Sequence, residues 1–303
     1  MFAINLSKLM INKGLSKVGA FFLYVFSLIP LPVLYLFADL IFFLLYHVLK
    51  YRRKVVQENL RNSFPNKSIE ELHQIEKTFF NYFADLLVET IKMLSVSATF
   101  LKKRYTVTNE EIVAKYEQEG RSYLIAVGHY GNWEWNTIVT PLMIKAKPLI
   151  IYKPLNNDVF NEVFKKAREK SGTEMIRMKL ALREIIKRKK ELTATVFASD
   201  QTPAHGDAQD NIMFLNQLTP VFTGLEKIAK STNYPVVFCD MRRVKRGYYS
   251  CDYKIVCENP SETVELEITK KHVELLENRI NAEPAFWLWS HRRWKHKPNL
   301  NNE

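Results

Sequence analysis

The chain has 303 residues, 47% of them hydrophobic, and a formal net charge of +12. That length can bury a sizeable core, and ordinary charge content with few glycines excludes a disordered or low-complexity chain. The positive balance suits nucleic acid, an anionic membrane, phosphorylated lipids or an acidic protein. The absence of any zinc-finger, RNP-like or basic-zipper pattern argues against nucleic acid.

From Val18 to Leu49 the only formal charge is Asp39, and Val18 to Ala38 is uncharged and aromatic-rich. About twenty such residues cross the hydrocarbon layer, so residues 1–50 are expected to form a membrane anchor. Pro30 and Pro32 leave room for a bent helix or two short ones. Lys50, Arg52, Arg53 and Lys54 outnumber Lys8, Lys13 and Lys17 on the other flank. The positive-inside rule then places residues 51–303 in the cytoplasm.

Ser68 and Glu71 make a capping-box pair ahead of Leu72, Ile75, Phe79, Phe83, Leu86 and Leu87, which recur at helical spacing. Thr108 and Glu111 repeat the signal before a short helix ending near Gly120. Ser122 to Val127 reads as a buried strand, a helix follows from about Asn132, and Pro148 to Tyr152 reads as a strand. A helix stopping at Gly172, another over Lys179 to Lys190 and a strand over Thr193 to Ala198 come next. A helix near Phe222 to Lys230 precedes strands at Pro235 to Arg242 and Tyr248 to Val256. The alternation predicts one α/β domain, a mixed central sheet flanked by helices, behind an N-terminal membrane helix. Cys239, Cys251 and Cys257 include no CxxC pair, which predicts three reduced thiols and no structural zinc.

The chemistry concentrates in Tyr123 to Trp135, where a buried strand delivers Gly128 and His129 to its C-terminal edge. Glu134 falls in the first turn of the following helix, within reach of a hydrogen bond from the imidazole. Such a pair suits acyl transfer to a hydroxyl: neutral histidine takes the acceptor's proton, and the carboxylate fixes its tautomer. By spacing alone, a loop histidine beside an N-terminal helix glutamate is the better fit, since carboxylates favour that helix end. A zinc-protease reading lacks the second histidine of HExxH, and His205 with Asp207 is an incomplete ligand set.

The phrase GHYGNWEW closely resembles the H-x4-(D/E) block of the lysophospholipid acyltransferase superfamily, in the form found in bacterial lipid A biosynthesis lauroyl/myristoyl acyltransferases. The likeness continues in order through YRRKVVQENLRNSFP at 51–65, YKP at 152–154 and SDQ at 199–201. It extends through the TG-containing helix at 223–232 followed by PVV, and ends in WLWSHRRWK. This resemblance implies a glycerolipid-acyltransferase-like fold and a membrane-bound enzyme moving an acyl chain from acyl carrier protein to a hydroxyl of a phosphorylated lipid A precursor. No cofactor or metal is implied beyond the thioester co-substrate. Carried over, His129 is the base and Glu134 its partner, with Asn132, Lys153, Arg177, Asp200 and Gln201 as substrate-binding candidates. Lys153 replaces the arginine usual in its block and loses the bidentate fork. The loop TPAHGDAQDN lacks the common glycine-rich form. Another glycolipid or an aminolipid as acceptor, or a catalytically silent lipid-binding homologue, fits the same pattern.

Basic stretches at Lys165, Lys166 and Arg168, at Lys187 to Lys190, and at Arg292, Arg293, Lys295 and Lys297 suit an acidic carrier protein or phosphorylated lipid. Trp287, Trp289 and Trp294 amid the last cluster suit either a membrane interface or the core.

Overall fold

Pro30 divides the apolar N-terminal run. In the computed structural model, which describes residues 2–203 and 210–295, α1 (Phe2–Leu28) stops before it and α2 (Leu31–Phe43) starts after it. Val18 to Ala38 is therefore two helices, not one continuous span, because proline supplies no N–H to carry the ladder through. Lys92 Nζ donates to the carbonyls of Ser27 and Ile29 at 2.7 and 2.9 Å, satisfying groups freed at the break. One face of α2 buries Leu31, Leu34 and Ala38, while Leu36, Leu40 and Phe43 are exposed. With the π turn that continues it, Leu31–Val48 is long and apolar enough to cross a membrane.

Arg53–Ser63 forms α3, and Ile69–Lys92 forms α4 with the complete Ser68/Glu71 capping box. Ala84 and Val88 of α4 share a core with Leu31, Leu34 and Ala38. Next come α5 (Ala98–Lys102), β1 (Tyr105–Thr108) and α6 (Glu111–Gln118). The second expected capping pair does not cap: Thr108 Oγ1 donates to Asp252 instead, because β1 has joined the sheet beside β9.

The remainder alternates as β2 (Tyr123–Val127), α7 (Trp133–Val139), β3 (Lys147–Tyr152), α8 (Asp158–Glu169), β4 (Glu174–Arg177), α9 (Ala181–Lys187) and β5 (Thr193–Ala198). A hairpin of β6 (Asp210–Phe214) and β7 (Gln217–Val221) leads to α10 (Gly224–Thr232), β8 (Val236–Lys245), β9 (Tyr248–Cys257) and α11 (Glu267–Ala282). The main sheet has the order β1-β9-β8-β2-β5-β3-β4, with β8 and β9 antiparallel and the other pairs parallel, so the mixed α/β expectation holds. β2 is central and buried along its whole length, as an apolar strand covered on both faces must be. β1, β4, the β6–β7 hairpin and α11 were not among the expected elements.

Two expectations change. Cys239 and Cys251 are disulfide-bonded across β8 and β9, where Cys239 pairs with Tyr253 and Met241 with Cys251. Diagonal neighbours on one sheet face bring the two sulfurs together. Among the described residues Cys257 is the free thiol, so the expectation of three reduced thiols is corrected. The tryptophans of the C-terminal cluster are core: Trp287, Trp289 and Trp294 are all buried, and so is Arg293, which donates to Pro220 O at 2.6 Å. His205, Asp207 and Lys297 lie outside the described residues.

Glu89 of α4 is fully buried and joins the N-terminal helices to the sheet. Its carboxylate accepts from Tyr35 Oη at 2.7 Å and from Asn132 Nδ2 and Tyr249 Oη at 2.6 Å each, while its carbonyl accepts from Trp135 Nε1 at 2.7 Å. Burial raises its pKa, and the tyrosine hydrogen bonds oppose that rise. Glu89→Ala orphans three buried donors and should lower unfolding stability by more than about 3 kcal/mol. Glu89→Gln, which keeps an acceptor, should lose markedly less in the same denaturation of the detergent-solubilised protein.

Candidate active site

Strand register brings the two central residues together. Val127 of β2 pairs with Ala198 of β5 in a parallel ladder, so residues 129 and 200 lie the same two steps beyond their strand ends. His129 Nδ1 donates to Asp200 Oδ1 at 2.6 Å, and the His129 backbone N–H donates to Asp200 Oδ2 at 2.8 Å. Trp287 Nε1 donates to the same Oδ2 at 2.8 Å. With Nδ1–H committed to a carboxylate, Nε2 is left carrying the lone pair. The edge of the Trp133 ring packs on the imidazole, centroids 5.1 Å apart.

Glycine shapes the loop that carries His129. Gly131 has φ +59°, and a Cβ there would press on Met241 at 3.0 Å; a Cβ on Gly128 would come within 2.5 Å of Leu276. Tyr82 Oη donates to Gly131 O at 2.5 Å and Tyr105 Oη to Asn132 O at 2.6 Å. Gly131 N–H donates to Phe286 O and Leu288 N–H to His129 O, so the C-terminal segment fixes the loop from the other side.

Glu134 does not accept from His129. It receives both forks of Arg168, Nε to Oε2 and Nη2 to Oε1, each at 2.8 Å. The expected His129–Glu134 hydrogen bond is thus corrected: α7 turns this carboxylate toward α8, and the strand-end Asp200 takes the imidazole. Glu134 still acts on His129 through its field. Burial by itself lowers the His129 pKa, but the Asp200 charge and hydrogen bond, aided by Glu134, leave it raised. Burial likewise opposes the Asp200 charge, yet His129 and the donated hydrogen bonds hold that carboxyl well below its usual range.

Asn132 is fully buried: its Oδ1 caps α7 through Trp135 N–H at 2.8 Å, and its Nδ2 serves Glu89. It is placed as a helix cap, not as a substrate contact. Lys153, Arg177 and Gln201, by contrast, line one open cavity of about 1180 Å³. Lys179, Lys227, Met178, Leu180 and Phe222 add further basic and apolar wall. The cavity runs past Ala198, Gln201 and Thr202, which flank Asp200 in the chain. Its His291 wall accepts from Thr202 N–H at 3.0 Å, and burial pushes that imidazole down to about 4.

Three contributors escaped the sequence reading: the pairing of Arg168 with Glu134, and two groups behind Asp200. His272 of α11 and Arg293 line a small cavity of about 10 Å³ with Asp200. Burial lowers His272 to about 4 and Arg293 to about 10, and the Asp200 charge opposes both shifts. His272 is thus neutral and Arg293 cationic at neutral pH, which favours an ionised Asp200. Arg168 sat in a basic stretch and Arg293 in a terminal cluster; only folding separates such residues from solvated ones. Among the described residues no cluster of metal-ligating side chains is present.

A buried strand ends in a histidine that a carboxylate orients, beside a large cavity of mixed basic and apolar wall. Residues 4–296 match the family described as bacterial lipid A biosynthesis acyltransferase, and the chain belongs to that family. It is 24% identical over 280 residues to the lipid A biosynthesis palmitoleoyltransferase of Escherichia coli (strain K12), covering 91% of this chain and 89% of that protein. The lipid A biosynthesis acyltransferase of Shigella flexneri matches with the same identity and coverage.

Removing the Asp200 charge removes what raises His129, so Asp200→Asn should move the acid limb of kcat/KM to lower pH. It should also cut kcat by roughly 10²–10⁴ through loss of the oriented tautomer. Glu134→Gln should shift the limb in the same direction by less, since it acts through its field alone. Paired pH–rate profiles check both the sign and the order.

Proposed function

We propose that this protein transfers a fatty acyl chain from an acyl carrier protein thioester to a hydroxyl of a phosphorylated lipid A precursor, with His129 as general base. The 2.6 Å bond from His129 Nδ1 to Asp200 carries the reading, because it leaves Nε2 free to accept a proton. Nε2 takes the acceptor's hydroxyl proton as its oxygen bonds to the thioester carbonyl carbon. The carbon–sulfur bond then breaks, and the leaving thiolate takes the proton back from the imidazolium. Asp200 stabilises that imidazolium, and Glu134, held by Arg168, adds negative field.

In this reading Lys153 and Arg177 meet the acceptor's phosphate and the apolar wall meets acyl chain, matching the mixed cavity they share. Residues 1–50 serve as membrane anchor for the acyltransferase body at 51–303, supported by the exposed apolar face of α2. The inner membrane is the corresponding location, with the body on the cytoplasmic side where the carrier protein is found. The basic surface suits that acidic donor.

His129→Ala should lower turnover of acyl carrier protein thioester by about 10²–10⁴ in membranes. Undiminished turnover would remove the base assignment. Arg177→Met should raise KM for the lipid acceptor while leaving kcat nearly unchanged, as loss of uniform binding does. Mass spectrometry of lipid A with and without the gene checks the acceptor: one acyl group should disappear.

A further inference from the structure

The turn after β4 exposes apolar side chains that a soluble surface has no use for. Met178, Leu182 and Ile186 recur every four residues and are 43%, 43% and 50% exposed, while Ala181 and Ile185 face the core. Leu180 is 40% exposed beside them. Lys179, Arg183 and Lys187 are exposed between these residues, so the stripe carries a basic border. An apolar stripe flanked by basic residues is the pattern of a helix lying in a lipid interface.

Its position supports the same occupant. Met178, Lys179 and Leu180 are also wall of the large cavity, with Lys153 and Pro154 leaving the adjacent end of β3. Leu155, 47% exposed, follows that wall, and two residues later Asn157 Nδ2 donates to Ser16 Oγ of α1 at 2.8 Å. Near that contact α1 exposes Leu15, Val18 and Phe22. The post-β4 turn is thus cavity wall, α1 contacts the segment that follows Lys153 and Pro154, and both carry exposed apolar side chains.

We propose that residues 178–187 insert shallowly into an anionic bilayer, Met178, Leu182 and Ile186 entering the acyl boundary and Lys179, Arg183 and Lys187 meeting lipid phosphates. This holds the cavity mouth at the headgroup layer, so a membrane lipid enters without crossing water. An acidic carrier protein would match the charges and leave the apolar stripe unmatched. The proposal builds on the reading that the acceptor is a membrane lipid.

The test uses the full chain in phosphatidylethanolamine vesicles, with and without phosphatidylglycerol, containing a trace lipid with a diazirine near the top of its acyl chain. After irradiation, peptides covering 178–187 should carry lipid adducts alongside those from α1 and α2. Arg183→Glu with Lys187→Glu, or omission of phosphatidylglycerol, should reduce the 178–187 yield about tenfold while sparing α2. Adducts confined to the N-terminal helices, a yield indifferent to lipid charge, or protection of 178–187 by an acidic carrier protein instead of labelling by lipid would each overturn the proposal. Labelling requires no turnover, so its failure is separate from failure of the acyl-transfer reading. Leu182→Gln with Ile186→Gln should raise KM several-fold for acceptor embedded in vesicles and leave KM unchanged for acceptor dispersed in detergent. An equal rise in both would also overturn it.

Discussion

Asp200 is a carboxylate closed off from water that accepts from two atoms of His129 and from the indole of Trp287. A buried anion survives only when its lone pairs are met, and here three donors from two distant stretches of chain meet them. The constraint runs in both directions. The end of β5, the loop after β2 and the C-terminal segment are thus tied to one another at this carboxylate. Arg293 behind the carboxylate adds opposite charge from that same C-terminal segment. Deleting the last strip of described chain would therefore strip the site of its electrostatics, although those residues lie far from His129 in sequence.

A second buried carboxylate does comparable work for the scaffold. Glu89 ties Tyr35 of α2, Asn132 at the head of α7 and Tyr249 of β9 to one point on α4. Asn132 stands three residues after His129, so the loop bearing the histidine is anchored to the helix on which the N-terminal apolar segment packs. Asp85, one turn earlier, receives Arg243 and Arg246, and Arg246 also reaches Asp39 of α2. The polar residue inside the apolar run is thereby explained: Asp39 is an ion-pair partner of the body. The N-terminal helices and the His129 loop thus share one hydrogen-bonded frame.

The elements that were legible are those whose signals are local. Ser68 and Glu71 sit within one turn, and the apolar spacing of α4 repeats over several; β2 is an uninterrupted apolar run ended by glycine. The misreadings all involve partners chosen by tertiary placement. Thr108 carries a capping signal, but β1 pairs with β9 and offers it Asp252. Cys239 and Cys251 are twelve residues apart, a spacing that says nothing until β8 and β9 form a hairpin in one particular register. β4 has four residues, too few for a period to show. Glu134 was placed rightly in the first turn of α7, yet its direction depends on α8, whose Arg168 arrives thirty-four residues later. Asp200 was visible as a strand-terminal carboxylate; its contact with His129 required knowing that β2 and β5 are parallel neighbours.

In the proposed reaction, that substitution of Asp200 for Glu134 bears on how the base is tuned. Two carboxylates near one imidazole both favour the imidazolium, and an imidazolium cannot take a proton from a hydroxyl. A base works best when its pKa lies near the working pH, which sets a ceiling on useful negative charge. Arg168 answers this by engaging both oxygens of Glu134, which offsets part of that carboxylate's field at the imidazole. Asp200, with no arginine in direct contact, supplies the full charge-assisted bond that orients the ring. The helix-borne carboxylate and the strand-borne one thus divide two tasks that a single His–Glu pair would have to combine. One fixes the tautomer; the other, through Arg168, fastens the helix behind the histidine to α8 without overcharging the base.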